Sequence, residues 1–80
     1  MKYSQYDTVI INNYFSIPGL AHQFTPCDEY SIIIADKLRL EYHIEDSFGN
    51  KITSVPQKLL EDNSCDKYPS VTQISSEIAT

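Results

Sequence analysis

Apolar and polar residues alternate most regularly where Leu38, Leu40, Tyr42 and Ile44 are separated by Arg39, Glu41, His43 and Glu45. A period of two places the first set on one face of a strand and the second in solvent, whereas a helix would scatter the four around its circumference. A half-buried antiparallel strand is therefore predicted over residues 38–45. Two shorter β-branched runs precede it. Val9, Ile10 and Ile11 centre a strand over residues 6–12, closed by Asn12-Asn13. Ile32, Ile33 and Ile34 centre another over residues 30–34, followed by a turn at Ala35-Asp36-Lys37. Branched side chains lose rotamer freedom in helices and pack well on a pleated surface, which favours strands in both places.

Asp46-Ser47-Phe48-Gly49-Asn50 reads as a hairpin connection, with Gly49 free to take a positive φ. A fourth strand returns over residues 51–55 until Pro56, which cannot donate to a ladder. One helical or 3-10 turn fits residues 56–61, with Pro56 at its first position. Between the first two strands, residues 13–29 read as a long loop broken at Pro18-Gly19 and Pro26. It carries Tyr14, Phe15, Ile17, Leu20 and Phe24, so much apolar content that it is expected to fold over the body. Residues 63–80 are polar and rich in Ser and Thr, and read as a tail or as one more edge strand around residues 70–75.

Eighty residues allow one domain with a small core, placed here at residues 1–62. Six Lys and Arg stand against eleven Asp and Glu, for a net charge of −5. Such a charge repels phosphate backbones and disfavours broad nucleic-acid binding. No apolar run reaches the roughly 18 residues that a membrane helix needs, and the first residues contain no secretory apolar stretch. The chain thus reads as cytoplasmic, with Cys27 and Cys65 as free thiols by default and a disulfide between them as the alternative.

An opening strand at Tyr6-Asp7-Thr8-Val9-Ile10-Ile11 is followed by an irregular loop. A hairpin spans Leu40 to Ile52, and Val55-Pro56-Gln57-Lys58-Leu59-Leu60-Glu61 closes the pattern. Over residues 6–61 this order resembles the small SH3-like β-barrels, including Tudor and KOW-type modules. The resemblance implies a mostly β antiparallel barrel with a single turn before its last strand. The chain lacks the Ala-Leu-Tyr-Asp-Tyr run and the groove Trp of proline-binding SH3 domains, so recognition of proline-rich motifs is not implied. Fold alone does not imply function.

Chemical motifs are sparse. His22, His43, Cys27 and Cys65 show no metal-ligand spacing, and zinc held by all four is the remote alternative to no metal. Two glycines thirty positions apart cannot form a phosphate loop, and no nucleophile signature is present. No cofactor and no catalysis are expected. Two binding surfaces remain. The first is aromatic: Tyr14, Phe15 and Phe24, with Tyr6 and Tyr42, because rings favour interface centres. The second is acidic: Asp28 and Glu29, with Asp36, Glu41, Glu45 and Asp46, which could meet a basic patch on a larger protein. The expectation is a non-catalytic module that docks on, and modulates or inhibits, a larger protein, as small phage or mobile-element inhibitors do. The rivals are a nucleic-acid-linked regulator using Lys37 and Arg39, or a small structural subunit of an enzyme complex.

Overall fold

The computed structural model of the protein describes residues 1–66. Five antiparallel strands form one sheet in the order β6-β5-β4-β1-β7. They are β1 (Thr8–Ile11), β4 (Glu29–Asp36), β5 (Glu41–Asp46), β6 (Lys51–Pro56) and β7 (Ser64–Asp66). A helix, α1 (Gln57–Asn63), joins β6 to β7. Two short strands, β2 (Phe15–Ser16) and β3 (Gln23–Phe24), pair within the long loop between β1 and β4. The mostly β expectation with one short helix holds. The sheet is not closed by hydrogen bonds, because β6 and β7 stand at opposite ends of the pairing order.

The core is built from rows of side chains across paired strands. Ile32, Ile44 and Ile52 lie opposite one another on β4, β5 and β6, and all three are buried. Tyr42 and Val55 form the next buried row, and Val9 opposite Tyr30 extends the core to β1. Both register shifts on β5 fall at His43: Ile33 is extra on β4, and Thr53 and Ser54 together oppose one β5 residue on β6. Bulges of this kind bend a strand and increase its twist. Here they keep both apolar rows on the buried face.

The β4–β5 connection differs from the sequence expectation. β4 runs on to Asp36, β5 begins only at Glu41, and the turn occupies residues 37–40. The Asp36 carboxylate accepts the N–H groups of Leu38 and Arg39, each at 3.1 Å. That local turn chemistry overrides the apolar alternation. Leu38 is 97% exposed and Leu40 56% exposed, so neither belongs to the core face. Tyr42 and Ile44 do, as the alternation predicts.

Two turns hold the long loop in place. Ile17-Pro18-Gly19-Leu20 and Thr25-Pro26-Cys27-Asp28 each close with an N–H to carbonyl bond from last to first residue, at 3.0 and 3.4 Å. Each has Pro at its second position and positive φ at its third, 86° at Gly19 and 74° at Cys27, which defines type II turns. The loop folds over the body as expected, because Phe24 is buried in the core and Phe15 stacks on it at 4.2 Å.

The helix is longer than the one turn expected, and Pro56 is its N-cap rather than its first residue. At its other end the Asn63 side-chain amide donates to the Leu59 carbonyl at 2.7 Å, and the Ser64 hydroxyl donates to that of Leu60. These satisfy carbonyls that the last turn leaves free. Ser64 then turns into β7, which pairs with β1. The edge strand suggested around residues 70–75 lies outside the described residues.

The N-terminal segment carried no sequence signal, yet Tyr3 is buried. Its N–H donates to the Tyr42 hydroxyl at 3.0 Å, and the Tyr42 O–H donates to Glu61 on α1. The backbone N–H of Lys2 reaches the same Glu61 oxygen at 3.0 Å. Ser64 Oγ, its own proton committed to Leu60, lies 3.1 Å from the Tyr3 hydroxyl, which therefore supplies the proton between them. One tyrosine thus ties β5, the N-terminus and the helix together.

Tyr42→Ala should destabilise the protein by about 3–5 kcal/mol in a denaturant titration, the range for truncating a buried ring. Tyr42→Phe keeps the ring but strands the buried Tyr3 N–H, and should cost about 1–3 kcal/mol. His43→Ala should stay within about 0.5 kcal/mol. Equal losses for Tyr42→Phe and His43→Ala would refute the role given to the hydroxyl.

Cys27 is exposed and holds a backbone conformation that side chains resist. Relief of that strain outweighs the added freedom of the unfolded chain, so Cys27→Gly should raise stability by about 0.5–1 kcal/mol. A loss of stability on the same titration would show that the thiol makes a contact worth more than the strain.

Candidate functional site

The pairing of Tyr30 on β4 with Asp46 on β5 places the start of β4 beside the β5–β6 hairpin. A pocket of about 100 Å³ opens between them, lined by His22, Asp28, Glu29, Tyr30, Asp46, Ser47 and Phe48. Three carboxylates and three rings meet there, and among the described residues no Lys or Arg lines it.

Each wall is positioned by local chemistry. Asp46 accepts the backbone N–H of Phe48 at 2.9 Å and that of Asn50 at 2.8 Å, and the Asn50 side-chain amide at 2.9 Å. With Gly49 at φ 90°, these bonds fix the hairpin and leave Phe48 at its tip, 88% exposed. The Asn50 side chain is the main reason that the Asp46 carboxyl is held below the usual carboxylate range; the Phe48 and Asn50 N–H groups and nearby His22 act in the same direction. Asp28 closes the Thr25–Asp28 turn by accepting from the Thr25 hydroxyl at 2.8 Å.

His22, for which sequence identified no partner, packs edge-on against Phe24 and Tyr30, and its Nε2 lies 2.5 Å from the Tyr30 hydroxyl. Burial pushes the Tyr30 phenol well above its ordinary range. The charge of Asp28, that of Asp46 and a hydrogen bond to Asp28 push in the same direction. The Tyr30 hydroxyl therefore keeps its proton at neutral pH and serves as a hydrogen-bonding partner of His22, rather than as a base or nucleophile.

Asp28 and Glu29 of the expected binding residues meet in this pocket. Phe24 lies behind it with 0% exposure, and Phe15 is half-buried on Phe24. These two rings support the site from the core rather than offering a surface. Tyr14 is 68% exposed and does not line the pocket. Asp46 belonged to the expected acidic surface, but His22, Tyr30 and Phe48 escaped the sequence reading, because the loop brings His22 onto Tyr30 and a strand pairing sets Tyr30 beside Asp46 across sixteen positions. The one local signal was the hairpin motif that exposes Phe48.

Among the described residues no three of His, Cys, Asp and Glu converge to hold a metal, and Cys27 and Cys65 are free thiols. No helix among them is long and apolar enough to cross a membrane. Compared with known proteins, the chain matches no family model, no curated protein and no solved structure at a significant level. The class that its structure defines is a small, mostly β domain built on one antiparallel sheet and a short helix.

Burial, and then the hydrogen bond to Glu61, raise the Tyr42 phenol to about 12. A phenol raised in the fold stabilises it fully below the unfolded value near 10, and that stability is lost as pH rises through the folded value. Alkaline titration should therefore show Tyr42 and Tyr30 ionising last, with loss of circular dichroism between about pH 10 and 12. Ultraviolet absorbance of the phenolates, compared with Tyr42→Phe, checks this. Ionisation of every tyrosine near pH 10 with the fold intact would contradict it.

Proposed function

We propose that the chain is a non-catalytic protein-binding module that docks on a larger protein through a basic side chain held in the His22–Phe48 pocket. The observation that carries this reading is the pocket itself, in which carboxylates meet exposed aromatic surface and none of the described Lys and Arg residues lines the walls. A guanidinium or ammonium gains from both, since rings attract cations at their faces and carboxylates pair with them at their rim. The net charge of −5 speeds encounter with a basic partner.

An SH3-like barrel is the narrower fold reading that we attach to this. It is supported by the meander of β4, β5 and β6, the long hairpin-bearing loop after β1, and the helix before the final strand. The register shifts at His43 are of the kind that bend and twist a sheet, as closing one requires. Size and charge alone support the remaining parts: a cytoplasmic modulator or inhibitor of the kind that phages and mobile elements encode.

The test uses calorimetry with a short arginine-bearing peptide and its glutamate-bearing counterpart. The arginine peptide should bind, and Phe48→Ala should weaken it by about 2 kcal/mol, roughly 30-fold, with an unchanged thermal melt. Charge reversal at Glu29 should act mainly on the association rate and its salt dependence. Equal binding of both peptides, or no loss in Phe48→Ala, would overturn the reading.

A further inference from the structure

We propose that His22 gates the pocket by its charge. The neutral ring leaves the carboxylates to a partner's basic side chain, whereas the protonated ring competes for them and weakens the hold. This gate rests on the reading of the pocket as the seat of a basic side chain, and adds how that seat is regulated. Histidine is the side chain whose ordinary change of charge falls between about pH 5 and 8. Here its ring lines the same cavity as Asp28, Glu29 and Asp46. The cavity, about 100 Å³, has room for about three water molecules, so a single cationic group fills it.

The ring is held in place in both charge states. Gln23 follows it directly and pairs with Ser16, and the turns at Ile17–Leu20 and Thr25–Asp28 brace the loop on either side. The imidazole packs edge-on against Phe24 and Tyr30, with centroids 4.6 and 5.7 Å away. Its Nε2 lies 2.5 Å from the Tyr30 hydroxyl. A hydroxyl both donates and accepts, so this contact serves the neutral and the charged ring alike. Protonation therefore adds a charge to the pocket rather than moving the ring out of it.

Among the described residues, every group that faces the ring is acidic or neutral. Asp28 and Glu29 stand where β4 begins, with Tyr30 beside them, and Asp46 ends β5. The hairpin contributes Ser47 and Phe48, and β3 contributes Phe24, none of them charged. Lys51 stands opposite Glu45 and does not line the pocket. His22 is near enough to Asp46 to help hold that carboxyl below its ordinary range. One positive charge among three negative ones removes part of the attraction on which a partner's cation depends. At separations of a few ångströms, screened by nearby solvent, that amounts to about five- to tenfold in affinity. The coupling is reciprocal, so a bound cation opposes protonation of the ring by the same factor.

The test is calorimetry on the full chain at about pH 8 and about pH 5.5, in low salt. The arginine peptide is blocked at both ends, so that it carries no other ionisable group. Ordinary carboxylates stay charged across this window. Affinity should fall about five- to tenfold at the lower pH. His43→Gln, outside the pocket, should show the same fall. In His22→Gln the ratio of the two affinities should be close to one, whatever its value at the higher pH. In the unaltered chain, NMR of the His22 ring reads the same coupling from the other side. Saturating peptide should move the midpoint of its titration down by about 0.7–1 pH unit. Equal affinity of the unaltered chain at both pH values, an equal fall in His22→Gln, or an unmoved midpoint overturns the gate and leaves the docking reading intact. No binding at either pH overturns that reading, and the gate with it.

Discussion

The Tyr42 hydroxyl is the point at which this small fold becomes one object. Its ring fills the row beside Val55, but rings in a sheet do not by themselves hold a helix or a chain terminus. The oxygen accepts from the N-terminal backbone and donates to Glu61, while Glu61 also accepts from Lys2. Three segments separated by about forty and twenty positions thereby share one buried hydrogen-bond network. In a low-dielectric setting such networks are costly to break, because each broken bond leaves a desolvated group behind. The short helix depends on this. Seven residues with no side-chain N-cap would not persist alone, so its packing through Leu60 and its tie through Glu61 supply what local propensity lacks.

The sequence was legible where side-chain period and turn chemistry agreed. Tyr42 and Ile44 alternate with polar residues and are buried; Asp46 to Asn50 spells a hairpin and forms one. Where the two signals disagreed, the turn prevailed. Leu38 and Leu40 continue the alternation perfectly, but the Asp36 side chain satisfies two backbone N–H groups of the turn and ends the strand there. Tyr3 was illegible for a different reason. Its burial depends on a cleft between β5 and α1 that exists only after both have packed, and no local pattern encodes that. The candidate site was half legible. Asp28 and Glu29 were visible as an acidic pair, whereas their neighbours arrive through the Tyr30–Asp46 pairing and a loop that brings His22 onto Tyr30.

Four non-glycine residues hold positive φ: Tyr6, Cys27, Leu40 and Ser54. Two have plain structural reasons. Cys27 is the third residue of a Pro-led type II turn, and Ser54 is the bulge residue that lets Ile52 and Val55 both face inward. Tyr6 belongs to the turn that Ser4 and Asp7 close, with the Asp7 side chain accepting the Ser4 N–H at 2.8 Å. Such conformations each cost about 1–2 kcal/mol, a sizeable fraction of the margin of so small a domain. A chain with a thin margin keeps strained residues where geometry demands them, and at Leu40 the strain turns the chain from β4 into β5, with its carbonyl held by the Gln57 N–H at 2.9 Å.

Charge is placed as unevenly as strain. Asp28, Glu29 and Asp46 share one small pocket with Phe48 at its rim, where acids spread evenly would serve solubility as well and without mutual repulsion. The Thr25 hydroxyl holds Asp28, and Asn50 with the hairpin N–H groups holds Asp46, so these two carboxylates are in place before any partner arrives. A cation entering such a pocket would meet acceptors that need no further ordering, and preorganisation of that kind gives affinity that contact area alone does not.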